Sequence, residues 1–119
     1  MFSDKNINIL AYPLETVLSE KYETIISRGI LNTRMRDFYD IYILSTLLSF
    51  DTDTFKTALQ NTASNRGTAN QLGSAKNIIS NIASNQNMIS LWLAYQKKYP
   101  FSKNITWEMT INALNRLTE

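Results

Sequence analysis

The sequence predicts an all-α domain of five to six helices, preceded by one short strand. Glycine occurs three times and proline twice in 119 residues, too few for the closely spaced turns of an all-β domain. Apolar residues recur at spacings of three and four through most of the chain, the period of a helix with one buried face. A chain of this size buries roughly two thirds of the surface that its unfolded form exposes, enough for one core. Residues 1–119 therefore read as a single helical domain.

The elements follow from their punctuation. Over Met1 to Tyr12, Ile7 and Ile9 alternate with Asn6 and Asn8, the pattern of a short strand. Pro13 suits the first position of a helix, where its missing N–H is no loss. That helix runs to Arg28 and stops at Gly29. Asn32 or Thr33 caps a second helix reaching about Ser49. Asp51-Thr52 caps a third, with Phe55, Ala58, Leu59 and Ala63 on one face and an end before Gly67. Gly73-Ser74 opens a fourth, carrying Ile78, Ile79 and Ile82. The fifth carries Met88, Leu91, Trp92, Tyr95 and Tyr99 as core and stops at Pro100. Thr106 caps the last, with Met109, Leu114 and Leu117 inward. Of the 27 residues from 61 to 87, 13 are Asn, Ser or Thr. The isoleucines among them keep helical spacing, so this stretch reads as a polar-surfaced helix rather than a linker.

Composition narrows the chemistry. The chain has no Cys and no His, which excludes thiol nucleophiles, disulfides, zinc fingers and Ser-His-Asp triads. A net charge of +2 excludes a strongly basic arm and an acidic tail, though not a local basic patch. The polar start is unlike a signal peptide. The longest apolar run is the five residues Leu91 to Tyr95, so no membrane span is expected. The chain reads as cytoplasmic.

Two helices carry charge where apolar residues are expected. Leu14, Val17, Leu18 and Ile25 form one stripe, and Lys21 lies within it, four residues from Val17 and four from Ile25. Arg28 falls on the same face, whereas Glu15, Glu20 and Glu23 fall on faces where charge is ordinary. Lys21 either snorkels, with its stem packed and its ammonium in water, or points into a cleft. On the second helix, Asp37, Asp40, Leu44 and Leu48 follow one row at spacings of 3, 4 and 4. The carboxylates either offset the helix dipole, by about 0.3–1 kcal/mol each, or wall a site. Arg34 and Arg36 beside them either pair with the aspartates or bind phosphate. Asp51-x-Asp53 precedes Phe55 and reads as a helix cap rather than a metal pair. No Gly-rich phosphate loop is present, since Gly29, Gly67 and Gly73 stand apart. No metal ligands are assigned.

Three stretches together resemble one family: Leu10-Ala-Tyr-Pro-Leu-Glu-Thr-Val-Leu-Ser-Glu-Lys21, Ser27-Arg-Gly, and Asn32-Thr-Arg-Met-Arg-Asp-Phe-Tyr-Asp40. They are similar to the C-terminal part of the AbiEii/AbiGii abortive-infection toxins, nucleotidyltransferases of type IV toxin–antitoxin systems. Met88-Ile-Ser-Leu-Trp92-Leu-Ala-Tyr95-Gln-Lys-Lys-Tyr-Pro100 and Ile105-Thr-Trp107-Glu extend the resemblance over most of the chain. It implies the helical C-terminal domain of a polymerase-β-like fold, with residues 1–50 carrying motifs and 51–119 as support. The family's third motif is matched by Glu20-Lys21. Its Arg-x-Lys-Asp-x-x-Asp motif is matched by Arg34-Met35-Arg36-Asp37-Phe38-Tyr39-Asp40, with Arg36 in place of lysine. Its Gly-Ser turn and metal-binding Asp-x-Asp have no counterpart here, and are expected on a half that would precede Met1.

The resemblance implies catalytic roles for Lys21, Asp37 and Asp40, and substrate binding by Arg28, Arg34 and Arg36. It implies Mg2+ and a nucleoside triphosphate as cofactors of the full-length parent and none for this chain alone, which is expected to be inert. Implied partners are the missing N-terminal half, the triphosphate, an RNA acceptor and a cognate antitoxin. The alternative expectation is a stand-alone truncated module that contacts an antitoxin or a nucleic acid without catalysis.

Overall fold

Seven α-helices and no strand occupy residues 13–119, the part of the chain that the computed structural model describes. The strand expected over Met1 to Tyr12 lies outside the described residues. The helices are α1 Leu14–Arg28, α2 Met35–Leu47, α3 Thr52–Arg66, α4 Ala69–Gly73, α5 Ala75–Ser84, α6 Gln86–Lys98 and α7 Trp107–Thr118. Single 3-10 turns at Gly29–Leu31 and Pro100–Ser102 follow α1 and α6. The described chain measures 40 × 37 × 20 Å, and its thin dimension admits two layers of helices roughly 10 Å across.

Most helix ends follow the sequence punctuation. Gly29 stops α1 at φ 55°, a conformation strained for any L side chain. Asp51 accepts hydrogen bonds from the Asp53 and Thr54 amides at the start of α3, which settles Asp51-x-Asp53 as a cap. Thr106 accepts from the Met109 amide at 3.1 Å to open α7. The Asn/Ser/Thr-rich stretch is helical, with the short α4 as an unforeseen seventh helix.

Three details differ from expectation. Pro13 stands just before α1 rather than in its first turn, because its ψ of 146° is extended. Arg34 occupies the position before α2, while Asn32 Oδ1 accepts the Arg34 amide at 3.1 Å from two residues upstream. Helix α2 ends at Leu47, so Leu48 leaves the predicted inward row and is exposed. The buried row of α2 is instead Phe38 and Ile41, flanked by Met35 and Asp37.

Helix α1 sits at the centre. It packs most extensively on α3 and also on α2, while α7 closes the core against α2 and α5. Its inward residues are Leu18, Tyr22, Ile25 and Ile26. Contacts along α1 run in reverse order along the following segment. Glu15 accepts the Asp51 amide at 2.7 Å, and Lys21 meets Asp40 at 3.0 Å. Arg28 and Arg34 share a groove at the connecting turn. The two helices are thus antiparallel, as their short connection requires.

Tyr22 ties this core to the C-terminal helix, its hydroxyl lying 2.6 Å from that of Thr118. Burial pushes its pKa above the ordinary value of 10.0, against a smaller opposing effect of the Thr118 hydrogen bond. A raised folded-state pKa gives stability that is fully present below the unfolded value and is lost as pH rises through the folded one. Tyr22→Phe is therefore expected to cost about 1 kcal/mol at neutral pH through the lost hydrogen bond. It should also flatten the fall in melting temperature above pH 10. Parallel alkaline loss in both proteins would show that Tyr22 does not carry it.

Candidate functional site

The structure brings Lys21, Asp37 and Asp40 together. Lys21 stands at the edge of the buried face of α1, beside Leu18, Tyr22 and Ile25 rather than among them, and 29% of its side chain is exposed. Its Nζ lies 3.0 Å from Asp40 Oδ2 and 3.7 Å from Asp37 Oδ1. Both aspartates lie on the inward side of α2, one turn apart, and Asp37 is buried. Asn32, itself buried, donates from Nδ2 to Asp37 Oδ2 at 3.3 Å. The same side chain that stabilises the start of α2 therefore also orients a carboxylate of the site. Arg36 lies further out, its Nε 3.7 Å from Asp40 Oδ2 in an i,i+4 pair.

A polar groove opens from this cluster. It is lined by Val17, Glu20, Lys21, Thr24, Arg28, Arg34, Asp37 and Arg66, and holds about 430 Å³. Four cations and two acids, Glu20 and Asp37, thus face one space. Arg28 and Arg34 form no ion pair among the described residues, which leaves their donors available to an anion. A larger cleft of about 540 Å³ lies between Gly29–Ile30 and α5–α6. Its lining of Ile78, Asn81, Ser84, Asn85 and Gln86 carries no charge to meet a phosphate.

Sequence reasoning missed Arg66 and misplaced Glu23. Glu23, expected on an ordinary charged face, is only 2% exposed. Helix α3 covers that side of α1, so α1 buries more than its apolar stripe. Glu23 Oε1 accepts from Arg66 Nη1, and Oε2 accepts from the Thr68 hydroxyl at 2.7 Å, so the buried carboxylate is paired on both oxygens. The left-handed Gly67 lets the chain turn between the two partners. Nothing in linear spacing marked this contact, since Arg66 reaches Glu23 across 43 residues.

The aromatic row also divides. Trp92 is core, stacked on Tyr95 at 5.3 Å. Tyr95 is only partly buried and Tyr99 is exposed, contrary to the expectation that all three are core. Partial burial pushes the Tyr95 hydroxyl pKa up, and the nearby Asp40 carboxylate adds to this while Arg36 opposes it.

The arrangement can hold an anion with several negative oxygens, because ammonium and guanidinium groups converge on one groove. Both aspartates already face the Lys21 ammonium, which competes with any metal ion for their oxygens.

A cation-lined groove backed by paired carboxylates is the kind of site used to position phosphoryl groups. Residues 1–112 match the nucleotidyl transferase AbiEii toxin family of type IV toxin–antitoxin systems. The chain belongs to this family. No curated protein and no solved structure matches it. Among the described residues, no helix is long and apolar enough to cross a membrane.

Proposed function

We propose that these helices form the phosphate-facing wall of a nucleotidyltransferase site whose metal-binding carboxylates are supplied by another half. The observation that carries the reading is the meeting of Lys21 with Asp37 and Asp40 at the mouth of a groove that also holds Arg28 and Arg34. In this reading Lys21 neutralises phosphate oxygens, and the two aspartates hold its ammonium in place beforehand. Such preorganisation avoids reorienting the cation during transfer. Arg28 and Arg34 hold the polyphosphate tail, and Arg36, further out and paired with Asp40, keeps the positive charge where the family carries lysine. Magnesium, which neutralises phosphate charge when bound, is assigned in this reading to the other half, because Asp37 and Asp40 are engaged by Lys21. The nucleoside triphosphate is the substrate, RNA the acceptor, and a cognate antitoxin the regulatory partner. The setting is the cytoplasm.

Labelled nucleoside triphosphates with magnesium and bulk RNA test this. The purified chain alone should transfer no label, and transfer should appear when a metal-carboxylate half from another family member is supplied. Magnesium-dependent transfer by the chain alone would overturn the half-site reading. Failure of the mixture to transfer, with both parts folded and associated, would favour a binding module without catalysis.

A further inference from the structure

The segment after the middle of α6 is unusual in composition. From Tyr95 to Lys103 it carries three aromatic residues and Lys97, Lys98 and Lys103, with no acid. The α-helix ends at Lys98 and Pro100 opens a 3-10 turn, so Tyr99 and Phe101 at this break are not folded back into the core. Phe101 is 61% exposed and Tyr99 is also exposed. Their rings lie 5.5 Å apart, and Tyr39 of α2 stands 5.1 Å from Phe101. Lys98 places its ammonium 5.5 Å from the centre of the Tyr99 ring, a favourable cation–π distance. Tyr39 joins the row to the helix that carries the candidate site, since it packs on Phe101 and directly precedes Asp40 on α2.

We infer that this aromatic and lysine-rich surface binds single-stranded nucleic acid, with unpaired bases stacking on Phe101 and Tyr99 and phosphates meeting Lys97, Lys98 and Lys103. Exposed rings interleaved with cations are how proteins hold unpaired strands without reading their sequence. A duplex hides its base faces and would leave the rings unused. A protein interface would account for the exposed rings but not for three lysines beside them in sequence, since lysine is depleted at protein–protein interfaces. Side-chain hydrogen bonds brace the backbone beneath the rings. Trp92 Nε1 and Gln96 Nε2 both donate to the Ile105 carbonyl, at 3.0 and 2.7 Å, and the Ser102 hydroxyl donates to the Tyr99 carbonyl at 2.7 Å. A preordered platform loses little conformational freedom when a base stacks on it. The inference deepens the transferase reading, on which it rests for the RNA acceptor, by naming the surface that holds an unpaired strand; the binding itself involves no chemical step.

Fluorescence anisotropy of the purified chain with a labelled oligouridylate decamer tests it. The chain should bind the strand more tightly than a hairpin duplex of equal length. Phe101→Ala should weaken binding about five- to a hundredfold, the range for losing one stacked base. Phe101→Trp should retain binding and Phe101→Leu should not. Replacing Lys97 and Lys98 with glutamine should reduce the salt dependence. Thermal melts of each variant should match the parent, because Phe101 is outside the core. Absent binding, equal affinity for the duplex, or full affinity in Phe101→Leu would overturn the inference. So would a chain that self-associates through Phe101 and binds no strand. None of these outcomes bears on the transfer assay, and failure of that assay leaves this binding intact.

Discussion

Replacing Lys21 with alanine is expected to lower nucleotidyl transfer at least about a hundredfold in a protein carrying both halves of the site, the scale seen when one preorganised charge-stabilising donor is removed. The fold should survive. Lys21 sits at the rim, and the core residues beside it, Leu18, Tyr22 and Ile25, keep their contacts. Asp37 would lose a cation 3.7 Å away but keep its hydrogen bond from Asn32. The melting temperature should therefore move only a few degrees. Lys21→Arg restores charge without restoring the compact ammonium held between two carboxylates, so rescue should be partial. If melting instead falls sharply and residual activity tracks the folded fraction, the lysine is structural.

Trp92→Ala should be the most destabilising single change, by about 3–5 kcal/mol. That is a large share of the roughly 5–15 kcal/mol by which a domain is stable at all. Trp92 is 1% exposed, and its ring stacks on Tyr95 and lies 6.0 Å from Trp107. Its indole also donates to the Ile105 carbonyl, so truncation loosens the connection between α6 and α7 as well as the core. Trp92→Phe retains most of the packing and should lose far less. Denaturant unfolding of the three proteins separates these effects, and a loss under about 1 kcal/mol in Trp92→Ala would show that the aromatic row is not a structural anchor.

What could be read from the sequence was local punctuation and the consequence of one short connection. Gly29, Asp51 and Thr106 mark helix ends through backbone conformation and side-chain caps, which neighbouring residues determine. Once Gly29 to Arg34 turn α2 back on α1, helical spacing alone brings Lys21 opposite Asp37 and Asp40. Glu23 was misread because periodicity describes one buried face, whereas α1 is covered by both α2 and α3. Arg66 was missed because it joins the groove from a helix whose placement no local pattern specifies. Tyr99 and Phe101 surfaced because Pro100 interrupts the helix, and the spacing that put Tyr99 in line with Trp92 no longer applies beyond Lys98.

Titration of the isotope-labelled chain with inorganic triphosphate, followed by NMR, tests the phosphate wall most directly. Saturable shifts should concentrate at Lys21, Arg28 and Arg34, and should largely vanish in Lys21→Ala while that variant remains folded. Shifts gathered instead at the uncharged cleft of Ile78, Asn81 and Gln86, or groove shifts indifferent to Lys21, would contradict a phosphate-binding role for this site.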